Sequence, residues 1–145
     1  LPDDSLEFEL EMPAKPKYVG LARLLAGSMA RRMSFSEENI DDLKLAISEM
    51  CTNAIVHTGN GEEDKAPIIV HYIARDDFLK VWVKDQGPGF NPSRLIEGER
   101  KELLTKGFGI PLIKSLVDVF ECDSRPENGT LVSITKYRGQ GNQES

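Results

Sequence analysis

Glu49 and Asn53 stand four residues apart in SEMCTNAIVH, from Ser48 to His57. If that segment is helical, both side chains lie on one face. A carboxylate that can accept a proton, beside a neutral amide oxygen that can bind a hard cation, is the pair needed to move a phosphoryl group from a nucleotide. Taken alone, the pair also fits an ordinary wet helix face. Two glycine-bearing motifs downstream give it weight: DQGPGF, from Asp85 to Phe90, and KGFGIP, from Lys106 to Pro111. In the first, D-x-G-x-G-F closes a strand, and Gly87 and Gly89 permit backbone approaches that a side chain would forbid. In the second, Gly107, Phe108 and Gly109 lead into a helix. Unpaired amides and the positive dipole end at such a helix start can cradle phosphate.

The elements that must position these residues are legible from periodicity. LEFELEM alternates Leu6, Phe8, Leu10 and Met12 with Glu7, Glu9 and Glu11, the rhythm of a strand with one solvated face. Val19, Leu21, Leu24, Leu25 and Met29 recur at helical spacing and predict a first helix ending near Arg31-Arg32. Ser34 and Glu37 have the spacing of a capping box. They would open a second helix with an apolar stripe of Ile40, Leu43, Ile47, Met50 and Ala54, ended by Thr58-Gly59-Asn60-Gly61. PIIVHYI from Pro67 and FLKVWVK from Phe78 flank Arg75-Asp76-Asp77 and read as a hairpin. Leu79, Val81 and Val83 share one face of its second strand, and continuing the alternation puts Asp85 on that apolar side. A carboxylate there needs a donor, and the amino group of a ligand can supply one.

Residues Asn91 to Thr105 are charged and lack apolar rhythm, which predicts a mobile connection with at most a short helical turn, of the kind that serves as a lid. Ile110, Leu112, Ile113, Leu116, Val117 and Phe120 then predict a helix with Pro111 in its first turn. FECDS and TLVSITKY, about the turn RPENG, predict a closing hairpin, and GQGNQES is a polar tail expected to be disordered.

With 145 residues, 39% of them hydrophobic, the chain has material for one core. One domain is expected over residues 1–138, with residues 139–145 as the tail. A net charge of -6 speaks against a nucleic-acid-coating protein. The two cysteines, Cys51 and Cys122, match no zinc spacing and read as reduced thiols. No apolar run has the length of a membrane span and no stretch reads as a signal peptide. A cytoplasmic protein without a membrane partner is therefore expected.

Helix E-x-x-x-N, strand-end D-x-G-x-G, a lid, G-x-G at a helix start and the closing Gly129-Thr130 strand together resemble the GHKL, or Bergerat, nucleotide-binding fold. That resemblance implies an α+β, two-layer sandwich: a mixed, mostly antiparallel sheet covered on one face by helices. Within the class, the run from Lys15 to His57 resembles the bacterial anti-sigma-factor serine kinases of the sigma-B and sporulation type. The likeness covers nearly the whole chain except its tail. It implies a kinase that uses ATP and Mg²⁺, binds a sigma factor, phosphorylates a serine of a STAS-type anti-anti-sigma partner and forms a homodimer.

By the same resemblance, Glu49 matches the catalytic base and Asn53 the Mg²⁺ ligand. Asp85 matches the acceptor for the adenine amino group, and Thr130 a hydroxyl that supports it. Gly87 and Gly89 border the pocket, and Gly107, Phe108 and Gly109 belong to the phosphate-contacting loop. Lys106 reads as a phosphate neutraliser or a solvated lysine, and Arg23 as a partner contact or a solvated helix residue. His57 reads as a structural residue at the helix end. Two other readings remain open on the sequence: a non-catalytic, ATP-gated sigma-binding module, and the ATP-binding fragment of a histidine kinase.

Overall fold

The computed structural model describes residues 5–58, 66–86, 109–125 and 129–139. In chain order these form β1 (Leu6–Met12), α1 (Val19–Arg32), α2 (Glu37–Thr58), β2 (Ile68–Ala74), β3 (Phe78–Asp85), α3 (Gly109–Leu116), β4 (Val119–Arg125) and β5 (Gly129–Tyr137). A single 3-10 turn, Pro16–Tyr18, leads into α1. The five strands make one sheet in the order β1-β2-β3-β5-β4. The sheet expected as mixed and mostly antiparallel is antiparallel in each of its four described pairings. The fold is the α+β sandwich that the sequence implies.

The core lies between one sheet face and the helices. Period-two alternation buries Ile68, Val70 and Tyr72 of β2 and Leu79, Val81 and Val83 of β3. The α2 stripe answers them with Ile40, Leu43, Ile47 and Met50, all at most 1% exposed. Burial of such a side chain contributes about 2 kcal/mol. Tyr72 reaches from the sheet to α1, its hydroxyl donating to the Ala22 carbonyl at 2.9 Å.

Three local expectations need correction. Leu21 and Leu24 do not face the core; they are 54% and 67% exposed, and α1 instead packs through Val19, Ala22, Ala26, Met29 and Ala30. Small alanines let the helix approach its neighbours closely, which turns the leucines outward. The cap of α2 is Ser36, not Ser34: the Asn39 amide donates to Ser36 Oγ at 3.1 Å. Ser34 sits in the left-handed region (φ 68) and ends α1. There the Phe35 amide donates to the Ala30 carbonyl and the Ser34 amide to that of Arg31, the two bonds of a Schellman stop. Finally, Phe120 belongs to β4, paired with Ile134, and α3 stops at Leu116. The Asp118 amide donates to the Thr135 carbonyl while the Asp118 carboxylate accepts from the Tyr137 amide, which hands the chain to the sheet. Lys136 Nζ donates to the Leu116 carbonyl at 2.8 Å, a cation at the negative end of α3.

Candidate active site

Asp85 is the last residue of β3, and strand parity turns it toward the helix layer as the sequence predicts. It is 1% exposed. A buried carboxylate needs donors, and Asp85 Oδ1 accepts the backbone N–H of Thr130 at 3.3 Å. The register makes this inevitable, since Asp85 pairs with Thr130 and Thr130 with Ser124. Three polar side chains thus form a row across β3, β5 and β4. Ser124 Oγ and Thr130 Oγ1 share a hydrogen bond of 2.7 Å, and both residues are buried. Gly129 permits the row to close. Its φ is +83, and a Cβ there would stand 2.1 Å from the Asp85 carbonyl oxygen.

α2 runs past this row and carries the chemistry-bearing residues of its C-terminal half. Glu49 Oε1 is buried and has no hydrogen-bond partner among the described residues. Desolvation raises the Glu49 carboxyl above its ordinary value, which makes it a better proton acceptor near neutrality. One turn on, Asn53 lies against Gly109, the first residue of α3. A Cβ on Gly109 would come within 2.3 Å of Asn53 Nδ2 and 2.8 Å of Oδ1. The absent side chain therefore makes room for the amide at the start of a helix. His57, a further turn along, places Nδ1 3.6 Å from Asp85 Oδ2.

The structure brings together Glu49, Asn53, Asp85, Gly109 and Thr130 around the C-terminal half of α2 and the adjoining sheet end. Gly87, Gly89, Lys106, Gly107, Phe108 and the lid from Asn91 to Thr105 lie outside the described residues. Arg23 is exposed on α1, and its Nη1 donates to Ser48 Oγ at 2.8 Å, beside Glu49 in sequence. Sequence reasoning missed two participants. Ser124 carries no local signal, because a serine in a hairpin strand is ordinary until register places it against Thr130. His57 stood out by its spacing from Asn53, but its neighbour Asp85 is distant in the chain. Of the cysteines, Cys51 is fully buried, which pushes its thiol up to about 12, and Cys122 is exposed.

A buried carboxylate at a strand end, a glutamate with one buried oxygen that makes no hydrogen bond among the described residues, and an amide at a helix start are a fitting set for a nucleotide with its phosphates and cation. Residues 12–136 match the model of the histidine kinase-like ATPase domain. The chain is 36% identical over 141 residues to the serine-protein kinase RsbW of Bacillus velezensis, with 89% of this chain and 84% of the relative covered. It is 40% identical over 136 residues to the RsbW of Listeria monocytogenes, covering 88% and 85%. A crystal structure of the RsbU and RsbW domains of a Mycobacterium tuberculosis protein superposes with a TM-score of 0.67 over 90% of this chain, at 18% identity. This chain spans 32% of that longer one, and the likeness supports the fold. The chain belongs to the histidine kinase-like ATPases and, within them, to the RsbW family of serine-protein kinases. It is accordingly an ATP-dependent protein serine kinase. No helix among the described residues is long and apolar enough to cross a membrane.

Proposed function

We propose that the chain is a cytoplasmic, Mg²⁺-dependent anti-sigma factor that transfers the γ-phosphoryl group of ATP to a serine of a STAS-type anti-anti-sigma protein, and holds a sigma factor when that partner is phosphorylated. Residues 1–138 act as the single kinase domain. The observation that carries the transfer chemistry is Glu49: a carboxylate with a buried, unpartnered oxygen and a raised pKa, one helical turn from Asn53. Its place argues for a base and against a non-catalytic nucleotide gate.

Asp85, whose Oδ1 is oriented by the Thr130 amide, accepts a hydrogen bond from the adenine amino group. Thr130, steadied by Ser124, borders the same base. Asn53 Oδ1, next to the start of α3, would hold Mg²⁺ as one neutral ligand among phosphate and water oxygens. When bound, that cation supplies charge neutralisation at the β- and γ-phosphates. Lys106, Gly107, Phe108 and Gly109 are assigned to contact the phosphates, and Gly87 and Gly89 to border the nucleotide. The substrate serine hydroxyl gives its proton to Glu49 as its oxygen bonds to the γ-phosphorus, and ADP departs with the bridging oxygen.

Arg23 serves a partner interface. Homodimerisation through β1 and α1 is supported by Leu6, Phe8, Leu21 and Leu24, which are 40%, 43%, 54% and 67% exposed. The test of partner exchange is a pull-down of the tagged chain with ADP and with ATP. A sigma factor and an unphosphorylated STAS protein should be retained in a nucleotide-dependent manner, and the STAS protein should emerge with one phosphoserine. Retention of neither with either nucleotide would refute the proposal.

A further inference from the structure

Leu79, Val81 and Val83 face the helices, so Lys80, Trp82 and Lys84 share the opposite face of the sheet. By register, Trp82 of β3 stands between His71 of β2 and Ser133 of β5, and Ser133 stands next to Glu121 of β4. The rings of His71 and Trp82 are stacked, with centroids 4.7 Å apart and planes within 6°. That separation matches the spacing of neighbouring strands, so the rings stand side by side and the other face of the indole is turned toward β5. His71 is in turn held by Glu7 and Glu9 of β1, at 2.6 Å and 3.3 Å. On the β5 side a trough of about 370 Å³ opens between Lys80 and Trp82 on one wall and Glu121 and Asp123 on the other, over Leu131 and Ser133. The strands that carry the walls are two apart, about 10 Å, which leaves room for one planar group between an indole and a carboxylate. Ser133 is 7% exposed, and its Oγ is buried with no hydrogen-bond partner among the described residues. An unsatisfied hydroxyl is costly, and a donor placed between the walls would offset that cost.

We propose that this trough is a docking site for an extended segment of a protein partner that carries an arginine and, two residues away, a carboxylate. The charges select that occupant. A guanidinium lies flat against an aromatic face, and its several donors can pair with Glu121 and bond the Ser133 hydroxyl together. An ammonium is a more strongly hydrated point charge and gains less from the indole. Side chains two apart in an extended segment repeat at about 7 Å, the spacing of Trp82 and Lys80 along β3. The carboxylate of the partner therefore meets Lys80, whose charge would otherwise repel the arginine. Because His71 already holds the indole, docking orders little that is not ordered beforehand. The trough lies on the sheet face opposite α2, so partner and nucleotide can be bound at once.

Trp82 is the single tryptophan of the chain, so its fluorescence and its indole N–H resonance report on the trough. The test is titration of the full chain with the capped peptide Thr-Arg-Thr-Glu-Thr. The indole signals should shift saturably with a Kd of about 1 mM, as befits a small exposed contact. Citrulline in place of arginine keeps the shape and removes the charge, and should weaken binding by about tenfold; lysine should weaken it less. Glu121→Gln and Ser133→Ala should each cost about fivefold, with ADP affinity at the parental value. Lys80→Gln should weaken the peptide by about threefold, yet not a version with alanine in place of glutamate. No saturable shift up to about 10 mM, equal affinities for the arginine and citrulline peptides, or unchanged affinity in Glu121→Gln would overturn the proposal. An indole shift that follows protein concentration alone, in step with the sedimentation coefficient, would overturn it in favour of a second copy of the chain.

Discussion

Gly109→Ala should disable phosphoryl transfer while leaving the fold intact. The added Cβ would stand 2.3 Å from Asn53 Nδ2, 2.8 Å from Oδ1 and 3.0 Å from Cγ. Non-bonded heavy atoms settle at about 3.5 Å, so the amide must retreat by about 1 Å. The obstacle is the end of a side chain, and Asn53 can yield by rotation without moving the helices. Alanine is also a better helix former than glycine, by up to about 1 kcal/mol. Thermal stability should therefore be unchanged or slightly higher. The amide itself would leave its position against the start of α3, and misplacement by about 1 Å costs on the order of a hundredfold in rate. The assay is single-turnover transfer to a STAS substrate at saturating Mg²⁺-ATP, with a parallel thermal melt. In an Asn53→Ala background the same change should cost little more, because the displaced group is already gone. A parental rate in Gly109→Ala, or losses that add in the double variant, would refute this reasoning.

Glu49→Gln should abolish transfer yet stabilise the protein at neutral pH. The folded carboxyl has a raised pKa, so the fold favours its protonated form; that contribution is present below the unfolded value of 4.5 and is lost as pH rises through the folded value. Urea midpoints of parent and variant should converge in acid and separate toward neutrality; a less stable variant at pH 7 would contradict the assignment. Gly129→Ala should destabilise by roughly 1–3 kcal/mol, because φ is +83 and the new Cβ meets the Asp85 carbonyl oxygen at 2.1 Å. ADP affinity should fall with it, and an unchanged urea midpoint would exclude the strain. Tyr72→Phe should cost about 1 kcal/mol in urea unfolding by losing its bond to the Ala22 carbonyl. Its ADP affinity should stay at the parental value, and a changed affinity would mean that the α1 contact shapes the site.

Strands and the stripe of α2 were readable because burial repeats with the period of the backbone. Val70 and Tyr72 of β2, Leu79, Val81 and Val83 of β3, and Ile40, Leu43 and Ile47 of α2 all lie where alternation or helical spacing puts them. The inward turn of Asp85 followed from the same parity, with no structure needed. Boundaries were less legible. Ser34 has the spacing of a cap, yet its left-handed φ and the bond from the Asn39 amide to Ser36 Oγ make Ser36 the cap. Val117 and Phe120 extend an apolar run whose helix and strand readings are alike until Asp118 bonds to β5. On α1, hydrophobicity favours Leu21 and Leu24, yet packing distance selects Ala22, Ala26 and Ala30. In the site, local motifs marked Glu49, Asn53, Asp85 and Gly109. The contacts of Ser124 with Thr130 and His57 with Asp85 join distant segments, and register and helix placement alone create them.

In the proposed mechanism, recognition of the base falls to Asp85 and transfer of the phosphoryl group to Glu49. Side-by-side measurement of ADP affinity and of phosphoserine formation from labelled ATP, in Glu49→Ala and Asp85→Asn, tests that division. Glu49→Ala should bind ADP like the parent and form no phosphoserine on a STAS protein that the parent labels. Asp85→Asn should lose ADP affinity first and still transfer when ATP is raised to saturation. Measurable transfer by Glu49→Ala at the parental rate, or equal loss of ADP binding in both variants, would contradict it.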